Sequence, residues 1–503
     1  MASSHLVTSS ASERGMDVSL AAGEEAHISA AAANGGGGDD VTEIRMLLRE
    51  GTAEVAGVPM SSEWVRFTLT RGGGGSAAGS DPNRGATYLA GGISVYTLEG
   101  AVISVVSNNR TTGPEASLPF HVHRAASRVP ALFDVVRKLR KKCQLSPAGL
   151  RVLVIGRDHG VGCTYAARTL SNLCLRDEYG SAAASKIVYL DANVAKAAVS
   201  CVGTIACAEV TAELCSIDHP FVASPPIAFF AGAGAATSST SASILAALGQ
   251  AADAAAWIAR RTEHKLCYTV IDTPTLYDDA AAPLAAVSPS SLHVTSRLAF
   301  HRAIVDIVAP TDIIFVGCAN TQGGSDGSMD GLLAEISRTH RNVNVEFVPQ
   351  LGASSRPTAT GNAAHLPSVH LRAQDYFFGP PSCPLGCAKV IAPLSQLVFI
   401  DVDYAVNPPA VNVVKGSERG RARNDSDRGL PLPGTLCAVS LATTVAEVPF
   451  ANIAGIVIVV LIDEASDEVT LVTPSGDATL PRQYLVLPRE ANFRARPDFE
   501  TTI

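Results

Sequence analysis

The chain has 503 residues, room for two to four domains of ~150 residues each. Its 47% hydrophobic and 17% charged residues supply large apolar cores and exclude a mainly disordered protein. The formal net charge of -8 excludes a protein dedicated to coating nucleic acid, so RNA contact is expected to be local or made through partners.

Eleven cysteines are scattered without a CxxC pair, which fits reduced thiols of the cytosol or nucleus. Cys383 and Cys387 have CxxxC spacing, but no second pair or histidine completes a zinc set. The N-terminal stretch is Ser, Ala, Gly and acidic residues, unlike a signal peptide. The longest apolar run, Gly455 to Ile462, falls short of the ~20 residues that span a bilayer, so no membrane contact is expected.

Residues 1–15 read as a polar, disordered tail. Residues 16–125 hold short β-like runs at 42–48, 64–70, 92–97 and 101–106, broken by glycine-rich stretches at 35–38 and 71–80. They predict an N-terminal β-sandwich-like domain. Pro130 to Cys143 has Leu132, Val135, Val136 and Leu139 at helical spacing, with Arg137, Lys138, Arg140, Lys141 and Lys142 toward its end. Cations there suit the helix dipole, and a basic RNA or partner surface is the alternative.

Residues 130–379 alternate between strand and helix patterns. Strands are expected at 151–155, 186–190, 227–230, 268–271, 312–316 and 344–348, with helices at 164–176 and 241–261. That alternation predicts an α/β domain with a parallel sheet and helices on both faces. Residues 380–503 turn β-rich again, with strands expected at 397–402, 436–441, 455–462, 468–472 and 484–487 and a charged surface insert at 415–429. The fold class is α/β: a central P-loop-like domain with β-rich domains before and after it.

The chemistry-bearing segment is RVLVIGRDHGVGCTYAAR. An apolar strand leads into a turn holding Gly156, Gly160, Val161 and Gly162, and Cys163, Thr164 and Tyr165 open a helix. Glycines let backbone N–H groups approach phosphates, and a helix N-terminus favours negative charge. A P-loop places a lysine and then Ser or Thr after its last glycine. Here Cys163 holds the lysine position, and the spacing from Gly156 to Gly162 is one residue too long. KIVYLD, ending in Asp191, reads as a strand that closes on a Walker-B-like carboxylate. A glycine-rich turn that binds nothing is the competing reading of the loop. Removing one preorganised donor from a phosphoryl-transfer site costs ~10²–10³ in rate, while backbone donors and Thr164 survive. Weakened ATP binding without turnover, with Thr164 on Mg²⁺, is the expectation.

The order of these segments resembles the eukaryotic polyribonucleotide 5′-hydroxyl-kinase family, and among its members the kinase-like subunit of pre-mRNA cleavage factor II. The resemblance runs through RMLLREGTAEVAGVPM and ISVYTLEG, then VGCTYAARTLSNLCLR, VYLDAN, VGTIA, IAFFAG and DYFFG, and finally LCAVSLA, IAGIVIVVLID, VTLVTPSG and LPRQYLVL. It implies a nuclear subunit of the mRNA 3′-end processing machinery that contacts the scaffold subunit of cleavage factor II.

The departures bear on activity. The family loop resembles GPTDVGKST against GRDHGVGCT here, with Thr164 matching the metal-binding hydroxyl. Asp191 matches the carboxylate after the second strand, but Asn193, Val194 and Ala195 replace the GQG that follows. The NTCGW segment reads Asp272, Thr273, Pro274, Thr275, Leu276, without the tryptophan that contacts substrate. Arg338 best matches a lid arginine, with Arg341 second, and Glu25 matches an adenine-side glutamate whose lysine companion is Gly92 here. By resemblance the catalytic candidates are Asp191 and Arg338. The leading reading is a catalytically weak or inactive scaffold. The alternatives are an active 5′-hydroxyl kinase rescued by Arg157, Arg168 or Lys196, and an unrelated deviant P-loop ATPase.

Overall fold

The computed structural model describes residues 6–7, 14–30, 41–70, 89–90, 93–107, 118, 120–146, 148–156, 162–176, 185–194, 199–210, 225–234, 236–237, 239–261, 266–273, 297–317, 327–349, 351, 373, 376–378, 386–414, 429–474, 479–490 and 493–495. Eleven strands open the chain: β1 (Leu6–Val7), β2 (Arg14–Leu20), β3 (Glu24–Ala30), β4 (Val41–Gly51), β5 (Glu54–Val55), β6 (Val58–Pro59), β7 (Val65–Thr70), β8 (Leu89–Ala90), β9 (Ile93–Tyr96), β10 (Ala101–Ser107) and β11 (Phe120–Ala126). They form a six-stranded sheet, β1-β2-β10-β4-β7-β8, and a five-stranded sheet, β11-β3-β9-β5-β6. Alternation along the strands sends Val18, Ile44, Met46, Ile103 and Val105 from the first sheet and Ala26, Ile28, Val55, Ile93 and Val95 from the second into one core. This is a β-sandwich. Within the stretch expected to be a disordered tail, Leu6 and Val7 pair with Met16 and Gly15.

Helix α1 (Pro130–Gln144) starts with proline in its first turn, where no N–H is needed. The central elements follow as β12 (Leu150–Gly156), α2 (Cys163–Leu175), β13 (Ser185–Asp191), β14 (Thr204–Val210), β15 (Ile227–Phe230), α3 (Ser241–Arg260), β16 (Leu266–Asp272), α4 (Arg297–Val308), β17 (Asp312–Val316), α5 (Gly327–Thr339) and β18 (Asn344–Val348). Strands β18, β17, β12, β16 and β13 lie side by side in parallel register. Parallel strands covered on both faces read as near-continuous apolar runs, and LRVLVIG is one. The order β18-β17-β12-β16-β13 puts β12 at the centre of the parallel strands.

Side chains alternate between the two faces. Val152, Val154, Tyr189 and Val270 share a core with α1 and α2 residues such as Leu139, Ala166 and Leu170. Leu153, Ile155, Leu190 and Ile271 share another with α3, α4 and α5 residues such as Leu248, Ile304 and Ile336. The structure adds β14, antiparallel to β13 and β15, to the expected parallel set. Its sequence TIACAEV is almost wholly buried but small, so no periodicity announces it. Helix α3 is long and apolar enough to cross a membrane by length and composition, yet Ile244, Ala247, Leu248 and Ala251 pack into the sheet core.

The last part supplies β19 (Ala388–Pro393), β20 (Val398–Asp403), β21 (Ala410–Val414), β22 (Leu436–Ser440), β23 (Ile453–Asp463), β24 (Glu468–Thr473) and β25 (Tyr484–Val486). Ala228 on β15 pairs with Ile453 on β23, so central and C-terminal strands form one mixed sheet of 14 strands. Residues 415–428 of the expected charged insert lie outside the described residues.

Candidate functional site

Strand β12 ends at Gly156, and Gly162 is the N-cap of α2 in the left-handed region at φ 92°. Gly160 and Val161 lie outside the described residues. Glycine is required at 162 twice over. Other residues are strained at that φ, and a Cβ would press into the carbonyl oxygen of Leu351. The Gly162 carbonyl accepts the Ala166 N–H at 2.8 Å, the first bond of the helix. Cys163 is half-buried at the first position of α2, so the electropositive helix end carries no lysine charge. Thr164 is only 6% exposed, and its Oγ1 has no hydrogen-bond partner among the described residues. A buried hydroxyl left without a partner costs about 1–3 kcal/mol, which makes Thr164 a site that suits a ligand oxygen or metal ion.

Two carboxylates end the neighbouring strands. Asp191 on β13 is 3% exposed and accepts the N–H groups of Asn193 at 3.0 Å and Val199 at 3.2 Å. Asp272 on β16 is fully buried, and the Tyr189 hydroxyl donates to it at 3.3 Å. Asp272 stands opposite both Asp191 and Val154 in the ladders, so both carboxylates lie on the face that carries α2. Burial pushes the Tyr189 phenol up, reinforced by the charges of Asp272 and Asp191 and opposed by that of Arg168. Arg168 sits one helical turn after Thr164 and is half-buried. Next to Asp272, Thr273 donates through Oγ1 to the Val154 carbonyl at 2.7 Å and ties β16 to β12.

In the sequence Asp272 stands out only as a departure from NTCGW, and Asp191 reads as the Walker-B-like group. The strand order reverses that emphasis: β16 touches β12, and β13 is one strand further out. The available signal was LCYTVID, an apolar run closed by a carboxylate just like KIVYLD.

Glu25 on β3 is 8% exposed and accepts a hydrogen bond from the Ser127 hydroxyl at 3.3 Å. Burial, and then the charge of Glu25, push the Tyr165 phenol up, so the sandwich brings Glu25 to the first turn of α2. Arg338 is placed elsewhere. Strands β17 and β18 are parallel, so α5 between them runs back toward their starting ends. The Asn344 N–H donates to the Thr311 carbonyl at 3.1 Å, which fixes the end of α5 beside the start of β17. Arg338 is 74% exposed there, 3.6 Å from Glu335, away from the start of α2. Arg341 follows it. Arg157, Lys196, Gly92 and residues 274–276 lie outside the described residues.

Three of the five cations of α1 bind other parts of the fold, while Arg137 and Lys141 are exposed. Lys138 meets Glu346 at 2.7 Å, Lys142 meets Asp312 at 2.8 Å, and Arg140 donates to the Leu173 carbonyl at 2.6 Å. Among the described residues no three His, Cys, Asp or Glu side chains converge on a metal position. Cys387 is described and half-buried, while Cys383 lies outside the described residues.

The donor chemistry suits a Mg²⁺ ion: Thr164 is a buried hydroxyl without a partner among the described residues, and Asp191 and Asp272 are buried carboxylates. An ATP phosphate would meet the N-terminus of α2 at Gly162, with Cys163 in place of a lysine.

No family model matches the chain, and no curated protein matches it. The fold does match solved structures. A wild-type Clp1p–Pcf11p complex matches with a TM-score of 0.65 and 13% identity, over 96% of this chain and 98% of that one. A second structure concerns the extended interface between Pcf11p and Clp1p and the basis of ATP loss in a glycine-to-arginine point mutant. It matches with a TM-score of 0.64 and 12% identity, over 96% of this chain and 99% of that one. The chain therefore has the fold of Clp1p over nearly its whole length, a mixed α/β architecture between β-rich flanks.

Proposed function

We propose that this protein is a kinase-like subunit of the nuclear mRNA 3′-end processing machinery, held to the scaffold subunit of cleavage factor II, that binds nucleotide weakly and transfers phosphate poorly or not at all. The observation that carries the reading is the match to Clp1p in complex with Pcf11p over 96% of the chain. It includes both flanking β-rich parts, which an unrelated deviant P-loop ATPase has no reason to share.

The low activity follows from the site. A P-loop ATPase or kinase stabilises transferred charge with its lysine, and Cys163 supplies none. The lid candidate Arg338 stands at the far end of α5. Nucleotide is then a stabiliser of the fold, adding RT ln(1 + [L]/Kd), rather than a phosphate donor. RNA contact falls to partners, because Lys138, Arg140 and Lys142 already serve the fold.

Affinity purification from nuclear extract is expected to recover the scaffold subunit and other 3′-end processing proteins. A kinase assay on 5′-OH RNA is expected to give a rate at least ~100-fold below that of a lysine-bearing member. Recovery of the free chain alone, or robust transfer lost on Thr164→Ala, refutes the respective half of the proposal.

A further inference from the structure

The outer face of the five-stranded sheet gathers three histidines in one corner. Alternation turns Ala26, Ile28, Val95 and Phe120 into the sandwich core. His27 on β3, Ser94 on β9, and His121 and His123 on β11 therefore share the opposite face. His123 stands directly across from His27 in the antiparallel ladder, and His27 directly across from Ser94. Residues so opposed have Cβ atoms about 4.5–5.5 Å apart, and a residue two further along a strand lies about 7 Å away, as His121 does from His123. His121 and His123 are exposed, and His27 is half-buried with Nδ1 3.2 Å from the Ser94 hydroxyl. Glu25, two residues before His27 on the same face, sets a carboxylate beside the group.

From this register we infer that His27, His121 and His123 form a zinc-type metal site on the sandwich, sharing no residue with the glycine loop or the carboxylate strand ends. Imidazole nitrogens suit Zn²⁺, Cu²⁺ and Ni²⁺. A His-x-His pair on one strand and a third histidine on its neighbour offer three nitrogens to one side of an ion. At Zn–N distances of about 2.0–2.1 Å they leave the fourth tetrahedral position to water. The three rings do not already converge on one point. Rotation about χ1 and χ2 closes them, and exposure leaves His121 and His123 room to turn. Ser94 sets the third ring. With Nδ1–H donated to its hydroxyl, the His27 lone pair lies on Nε2, and such a hydrogen bond fixes the tautomer of a metal-binding histidine. β11 is the edge strand of its sheet and leads into α1, where the Ser127 N–H donates to the Gly23 carbonyl at 2.8 Å. A metal that bridges β3 and β11 pins that edge to the sandwich.

The test is calorimetric titration of Zn²⁺ into the reduced, untagged full-length protein, with excess Mg²⁺ to saturate oxygen-ligand sites. The expected result is one Zn²⁺ per chain, bound roughly tenfold or more weakly in His121→Gln, His123→Gln, His27→Gln and Ser94→Ala. Binding is expected to be unchanged in His340→Gln, beyond α5, and in Cys387→Ser. Zn²⁺ should also raise the thermal midpoint of the wild type and not of the histidine variants. Circular dichroism checks folding, and if His27→Gln or Ser94→Ala fails to fold, the two exposed positions decide. No stoichiometric Zn²⁺ binding in the wild type overturns the inference, and so does a loss confined to one of His121→Gln and His123→Gln. Binding kept in both and lost in Cys387→Ser overturns it as well and assigns the metal to thiolate. Co²⁺ gives the independent check: visible bands without a thiolate charge-transfer band are expected, and a thiolate band refutes the three-histidine set.

Discussion

Gly162 and Cys163 divide the consequences of the loop between stability and ligand affinity. Gly162 holds φ 92° with its α-carbon against the Leu351 carbonyl. Gly162→Ala is expected to destabilise by about 1–2 kcal/mol from the left-handed backbone alone, and by more once Leu351 is displaced. Urea denaturation should show a lower midpoint with an unchanged slope, and an unaltered midpoint contradicts the steric reading. Cys163 is different, because its half-buried side chain packs only at the margin of the core. Cys163→Lys is expected to leave stability within about 0.5 kcal/mol and to tighten ATP by roughly tenfold or more. Calorimetric titration with ATP decides it: equal affinity in both proteins removes the phosphate from the loop.

At the scale of elements, α2 is the junction. The turn between β5 and β6 holds Ala56 at φ 50° and Gly57 at φ 82°, and it seats on α2. Gly57 lies against the Thr169 carbonyl, and Asn172 donates through Nδ2 to the Ala56 carbonyl at 2.9 Å. Beside it Arg176 meets Glu54 at 2.7 Å with 14% and 18% exposure, and the Tyr96 hydroxyl donates to the same carboxylate. This is how a sandwich strand comes to place Glu25 by Tyr165. Arg176→Ala is expected to cost about 1–3 kcal/mol, because Glu54 is left half-buried without its ion partner. A double-mutant cycle with Glu54→Ala should show positive coupling between the two, and simple additivity of the single costs argues that the pair does not couple the sandwich to α2.

Across the whole molecule the sheet passes from the central to the C-terminal part with few places to part. Phe493 packs edge-to-face on Phe230 with centroids 6.2 Å apart, and a Cβ on Gly203 would strike the Phe493 ring. Arg489 lies 3.5 Å from Asp403, and its N–H donates to the Gly232 carbonyl at 2.9 Å. The buried thiols give this body a pH signature. Burial raises Cys267 from 9.0 to about 11 and Cys174 and Cys207 to about 12. With the folded values raised, their stabilisation is complete below pH ~9 and falls as pH climbs through the folded values, since the unfolded chain then binds fewer protons. Each thiol removes about 1.4 kcal/mol per pH unit within that window. Stability measured by denaturant at pH 8, 9, 10 and 11 is expected to drop progressively above 9, and a flat profile shows these thiols to be accessible.

Local pattern in the sequence determined the elements that carry the argument. The apolar runs at Leu150–Gly156, Ser185–Asp191 and Leu266–Asp272 are strands because each is apolar throughout and closed by a glycine or a carboxylate, and α2 begins where Gly162 permits it. The missing lysine was also legible, since Cys163 is a fact of the chain. Tertiary structure alone decided what these elements meet. Which carboxylate adjoins β12 depends on strand order, and strand order is set by packing between residues that are distant in sequence. Asp272 is more than a hundred residues beyond Gly156, and β12 and β16 pair within a sheet whose opposite faces α2 and α3 cover. The same non-local packing sends Arg338 to the far end of α5 and brings Glu25 to α2, because helix direction and interdomain seating belong to the assembled sheet rather than to either segment.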